Sequence, residues 1–225
     1  MTKQTSTGKC ALCGGTFSKR AMTKHVTSCK QKESVSETPS GTRTPQKTKS
    51  FHLVVEGRYS PEYWLHLEVP VDTGLDVLDD FLRQIWLECC GHMSAFNIEG
   101  KTYSVRPMDD FDETDMDIDV GHVLYPGIKF YHEYDFGTTT ALALKVVAET
   151  EGRNKDKSIQ VLARNDPPAI KCLSCGQAAT QICTDCSWSG EGWLCDKCAA
   201  EHECGEDMLL PVVNSPRVGM CGYTG

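Results

Sequence analysis

Nine of the chain's twenty Cys and His residues crowd into its last fifty-four positions: three C-x-x-C pairs (Cys172/Cys175, Cys183/Cys186, Cys195/Cys198), then His202, Cys204 and Cys221. A C-x-x-C turn sets two thiolates on one side of an ion. A tetrahedral zinc takes four N/S ligands at about 2.0–2.3 Å, so two such pairs complete a shell. Disulfides suit secreted chains, but the opening MTKQTSTGKC has neither an apolar h-region nor a small-residue cleavage site, so a reducing, cytoplasmic setting is expected. Redox chemistry uses one C-x-x-C at a helix start, and three pairs exceed that need. Two zinc ions require eight donors and nine are on offer, so one is surplus.

The ligand order resembles the cross-braced B-box and MYND fingers, where the first and third pairs share one zinc and the second pair shares another with later ligands. The resemblance implies one ion on Cys172, Cys175, Cys195 and Cys198. A second would lie on Cys183, Cys186 and two of His202, Cys204 and Cys221. A second motif opens the chain, with Cys10 and Cys13 followed by Phe17, Met22, His25 and Cys29. It resembles the C-x-x-C-G-x-x-F…H-x-x-x-C fingers, ββα relatives of the two-Cys, two-His type. Gly14 and Gly15 permit the turn, Phe17 and Met22 supply a small core, and His25 and Cys29 lie one helical turn apart. About thirty residues cannot bury enough to fold alone, so metal would supply the deficit. Three structural zinc ions per chain are expected.

Charge divides the chain. Residues 1–50 carry ten Lys/Arg against two Asp/Glu, 51–150 six against nineteen, and 151–225 seven against ten, a basic arm on an acidic body with an overall charge of −8. The expected organisation is a zinc finger with basic arm (1–31), a flexible linker (32–50), an α/β domain (51–149), a linker (150–170) and a cysteine-rich zinc domain (171–225). No run approaches the eighteen or so apolar residues of a membrane span.

The central domain reads as mixed α and β. Phe51–Glu56 and Tyr63–Val69 suggest paired strands around Arg58-Tyr59-Ser60-Pro61. Leu75, Leu78, Leu82, Ile85 and Trp86 recur at helical spacing, with Asp72 or Thr73 as cap and Gly91 as stop. Strands are expected at Ser94–Ile98, Lys101–Val105, Ile128–Tyr134 and Thr140–Ala148, with a short helix or turn near Val120–Leu124. The order of paired strands, LDDFLRQIW, HMSAF and YHEYDFG resembles the plasmid pRiA4b ORF-three-like domain over roughly Phe51–Ala148. His92 and Phe96 match its H-x-x-x-F element, and Tyr134, Asp135, Phe136 and Gly137 its signature. Thr138, Thr139 and Thr140 stand where many members have an acidic residue, a Trp and a His, so roles of those side chains do not carry over. The resemblance implies an α+β fold, a central α/β roll of curved, mostly antiparallel sheet packed on a helix, here flanked by two small zinc modules. It implies occurrence in plasmid, mobile-element and chromosomal proteins, and no established reaction.

Remaining polar residues have plainer readings. Asp135 can cap a turn, Gly137 can take φ > 0, and Tyr134 and Phe136 can anchor the hairpin. His92, His122 and His132 lack a nucleophile motif, and Cys89 and Cys90 read as packing residues. Asp115, Asp117 and Asp119 fail as a calcium loop, since Val120 and Pro126 stand where Gly and Glu belong, and Asp109–Asp119 reads as a solvated loop whose last Asp caps the next turn. Phosphate-binding glycine loops are absent, so no nucleotide cofactor is expected. The tail from Leu210 to Gly225 resembles tails of longer members of the same group, and its apolar start suggests that it folds onto the zinc module. The expected function is a zinc-binding interaction protein for protein or nucleic-acid partners, with Lys19, Arg20 and Lys24 as phosphate contacts. The alternative is an enzyme whose pocket collects His92, His132 and Asp135, with catalytic residues unknown.

Overall fold

The computed structural model describes residues 6–36, 48–107, 113–152 and 158–225. Most of the expected 32–50 linker, the start of the acidic run and residues 153–157 lie outside these. The chain opens with β1 (Thr7–Cys10), β2 (Thr16–Ser18) and α1 (Lys19–Ser36). Next come β3 (Thr48–Gly57), β4 (Trp64–Pro70), α2 (Leu75–Leu82), β5 (Ser94–Ile98), β6 (Lys101–Ser104) and β7 (Glu113–Asp115). Then follow α3 (Val120–Val123), β8 (Lys129–Tyr134), β9 (Thr140–Gly152) and β10 (Gln160–Asn165). A last module holds β11 (Gln181–Cys183), β12 (Trp193–Leu194), α4 (Asp196–Ala200) and β13 (Leu209–Pro211).

The fold is α+β. One sheet runs β2-β1-β10-β4-β3-β9-β8-β5-β6-β7, and a small one runs β12-β11-β13. Pairing in the large sheet is antiparallel except between β6 and β7. The sheet's middle strand explains its own sequence: all seven residues of β4 are buried, although side chains alternate between faces. Leu65, Leu67 and Val69 join Leu75, Leu78, Leu82 and Trp86 in the main core. On the opposite face Trp64 packs with Cys10, Met22, Val26, Leu162 and Ala163. Helix α2 thus covers one side, and the N-terminal finger covers part of the other.

Residues 160–165, expected as linker, form β10 between β4 and β1, and β9 runs on to Gly152. The segment is only six residues long, without regular alternation of apolar and polar positions, and its partner strands β1 and β4 lie far away in sequence, so local pattern does not reveal it. Asn165 fixes the junction, accepting from the Trp64 backbone N–H at 3.0 Å and donating to Asn214 at 2.7 Å. Lys19 secures the finger helix by donating to the Pro61 carbonyl at 2.7 Å and pairing with Glu56.

Several local expectations need correction. The N-cap of α2 is Gly74, without a side-chain cap bond, rather than Asp72 or Thr73. The helix passes into a π-helical turn at Arg83–Leu87 that keeps Trp86 and Leu87 buried and stops at Glu88, before Gly91. Part of the acidic run is strand β7, paired with β6. Asp119 sits at the N-cap position of α3 but its side chain makes no cap bond. In the signature hairpin Asp135 itself takes the left-handed backbone at φ 64°, while Gly137 does not. Tyr134 is the buried anchor, and Phe136 is half exposed. No helix among the described residues is long and apolar enough to cross a membrane.

Two predictions follow from the finger-facing side of the sheet. A Cβ on Gly8 would run into the Arg164 carbonyl and lie 2.5 Å from the Trp64 ring. Gly8→Ala is expected to cost about 1–3 kcal/mol, as overpacking does, read as a lower urea midpoint and faster hydrogen exchange in β1 and β10. Buried His66 contacts His52 at 2.9 Å; burial, with help from the charges of His52 and Lys19, holds its pKa down at about 3 against an ordinary 6.5. The folded state keeps His66 neutral, so its contribution is complete above the unfolded pKa and is lost as pH falls from there toward the folded value. Relative to His66→Gln, the parent protein should lose about 1.4 kcal/mol between about pH 7.5 and about pH 5.5. A pH-independent difference would contradict this.

Candidate metal centres

In the finger, β1 ends at Cys10 and a tight turn follows. Cys10 N–H donates to Gly15 and Gly14 N–H to Cys10, with Gly14 at φ 71°. Helix α1 carries His25 and Cys29 one turn apart, as its register requires. The four donors converge, with Cys13 Sγ 3.3 Å from His25 Nε2. Met22 is buried as expected, whereas Phe17 is only half buried and stacks on the His25 ring at 3.7 Å.

The C-terminal module shows the cross-brace. Cys172, Cys175, Cys195 and Cys198 form one group, and Cys183, Cys186, His202 and Cys204 the other. Cys175 and Cys195 sulfurs are 3.5 Å apart; Cys186 lies 3.4 Å from His202 Nε2 and 3.7 Å from Cys204. His202 and Cys204 therefore complete the second set, and Cys221 does not belong to it.

The donors fit a tetrahedral metal ion. Bonds of about 2.3 Å to sulfur and 2.0–2.1 Å to nitrogen imply S···S edges near 3.8 Å and S···N edges near 3.5 Å. All thirteen cysteines are free, so none of these contacts is a cystine. Local electrostatics prepares one sulfur in each C-terminal group. Burial raises the Cys172 thiol, but N–H groups of Cys195, Cys175 and Ser174 outweigh it and bring it down to about 6. Cys183 is likewise brought to about 7, burial opposing the Cys186 N–H, His202 and the Asp185 N–H. Their neighbours go the other way: Cys198 and Cys204 are pushed up to about 12, chiefly by the adjacent sulfurs. A cation among them inverts that penalty.

A fourth group, missed in the sequence, joins Cys89, Cys90, His92 and Cys221. Cys90 is exposed, which corrects the packing reading, and Cys221 reaches it from the tail. The tail starts on the C-terminal cysteine-rich module through β13 but then crosses to the central sheet. Ser215 Oγ donates to the Trp86 carbonyl at 2.6 Å. Fully buried Arg217 donates to Asp135 Oδ2 at 2.7 Å, to Thr140 Oγ1 at 3.0 Å and to the Thr138 carbonyl at 3.2 Å. Asp135 Oδ1 also accepts from the Gly137 and Thr138 N–H groups, both at 3.1 Å, the turn cap expected of it. The only sequence signal for this group was an unassigned late cysteine together with C-C-G-H.

The suggested catalytic trio is divided. His132 is wholly buried, 2.6 Å from Asp79, which in turn accepts from Ser94. His92 lies apart from it, 3.5 Å from Asp135. A concavity of about 570 Å³ lies instead on the finger helix, lined by Phe17, Arg20, Lys24 and Ser28 among others.

No family model matches the chain, and no curated protein matches it. Among solved structures it is similar to a protein of unknown function from Methanosarcina mazei Go1. The two share 13% identity, with 54% of this chain and 72% of the other covered at a TM-score of 0.47.

The Arg217–Asp135 pair generates a stability prediction. Removing one partner of a buried ion pair strands the other charge, so Arg217→Ala is expected to cost about 3–5 kcal/mol in chemical denaturation. A loss below about 1 kcal/mol, the value of an exposed pair, would contradict it.

Proposed function

We propose that the protein is a zinc-dependent docking protein that binds nucleic acid through its finger helix, in a plasmid or mobile-element setting. The supporting observation is the closed character of the finger and cross-brace clusters. Each supplies four sulfur or imidazole donors, whereas a catalytic zinc keeps one position for water. Such donors select zinc over harder cations, and the ions serve to hold short segments in shape.

The binding surface follows from what the fold leaves uncovered. Lys19 is committed to Glu56 and Pro61, but Arg20 and Lys24 are exposed, four residues apart on one face of α1 beside the concavity. Phe17 adds an aromatic edge there, a combination that suits a phosphate backbone with an unstacked base. The acidic central region disfavours a long duplex, so short single strands are the favoured ligand.

Fluorescence anisotropy with short labelled RNA and DNA strands tests this. Binding should weaken with salt, and Arg20→Glu/Lys24→Glu should weaken it at least roughly tenfold and reduce the salt slope by about 1.4, two contacts' worth for single strands. Removing zinc with a chelator should abolish it. Equal binding by the double variant rejects this surface, and absence of binding to any strand rejects the nucleic-acid reading.

A further inference from the structure

We propose that Cys89, Cys90, His92 and Cys221 form a fourth zinc site, a clasp that pins the tail onto the central sheet. The inference rests on the reading that the other three clusters hold zinc, and extends it to residues that belong to neither small module. Its edges match theirs: Cys90 lies 3.6 Å from the Cys89 sulfur and 3.8 Å from that of Cys221. His92 Nε2 sits 3.0 Å from Cys90 and 3.2 Å from Cys221.

Packing does not account for this group, because Cys90 and Cys221 are exposed and gain nothing as small apolar residues. Cys221 also holds φ 48°, a left-handed backbone that costs energy for a non-glycine residue. The surroundings fix the donors. Tyr134 Oη accepts from the N–H groups of Cys89 at 3.4 Å and His92 at 3.3 Å, and donates to Glu88 at 3.0 Å; Glu88 also accepts from the Gly91 N–H. Three thiolates around a dication leave one negative charge. Arg217, donating to Cys89 Sγ at 3.4 Å, sets a positive charge beside it that it shares with Asp135. Asp135 holds Arg217 there and approaches His92 without displacing a donor. With this site included, the four clusters use every one of the thirteen cysteines.

The site differs in kind from the others. Cys221 stands 129 to 132 residues from the other three ligands, so the site closes a loop that contains the whole cross-braced module and sets where that module sits. The gain from such closure grows with the logarithm of loop length.

Metal content per chain, measured on full-length protein purified under reducing conditions without added metal, tests the clasp. Four zinc ions are expected in the parent and three in Cys90→Ser and Cys221→Ser, with four regained in Cys221→His. Serine at these exposed positions leaves the core untouched, and circular dichroism verifies folding. Three ions in parent and variants alike would overturn the clasp and leave the finger and cross-brace zinc intact. A Cys90–Cys221 cystine in the purified protein would also overturn it. No zinc in folded parent protein would overturn both readings.

Discussion

Sulfur atoms held 3.5 to 3.8 Å apart are the constraint shared by the C-terminal module and the contact of the tail with the central sheet. Thiolates at that separation repel, and thiols there have little to gain. Burial is poor compensation, since Cys13, Cys175, Cys90 and Cys221 are exposed. A central cation would turn this repulsion into the strongest local attraction, and that attraction would hold segments with three-residue strands in one shape. Backbone N–H groups directed at Cys172 and Cys183 show the peptide already arranged around negative sulfur.

The N-terminal unit is more than an appendage. Its strand β1 lengthens the central sheet, and Met22 and Val26 cover Trp64, which would otherwise face solvent in the middle of a sheet. The N-terminal cluster thus meets the central sheet through two contacts, the backbone ladder to β10 and the approach of Gly8 to the Trp64 indole on the face opposite the main core. The histidine pair on the same face follows from that cover, since it places His66 where a charge is costly.

Short-range patterns in the sequence were legible where one element makes its own signal. Helix α2 announced itself by Leu75, Leu78 and Leu82, the paired strands by their flanking turn, and the cross-brace by repeated C-x-x-C. Signals that depend on distant partners were not. Strand β10 has meaning only beside β1 and β4, and Cys221 only beside Cys90 and His92. Phe136 and Gly137 looked like anchor and hinge, yet the left-handed position fell on Asp135, because its side chain could cap the turn while holding Arg217. A two-sided strand such as WLHLEV is ambiguous by itself; only the finger on the far face explains it.

The placement of β10 between the first strand and the fourth orders events during synthesis. A nascent chain that has made its finger finds no edge on which to seat it until residues 160–165 leave the ribosome, so Trp64 waits uncovered through nearly a hundred further additions. Asp135 waits longer, for Arg217. Closure of this edge of the sheet therefore depends on residues about a hundred positions downstream of the strand they cover.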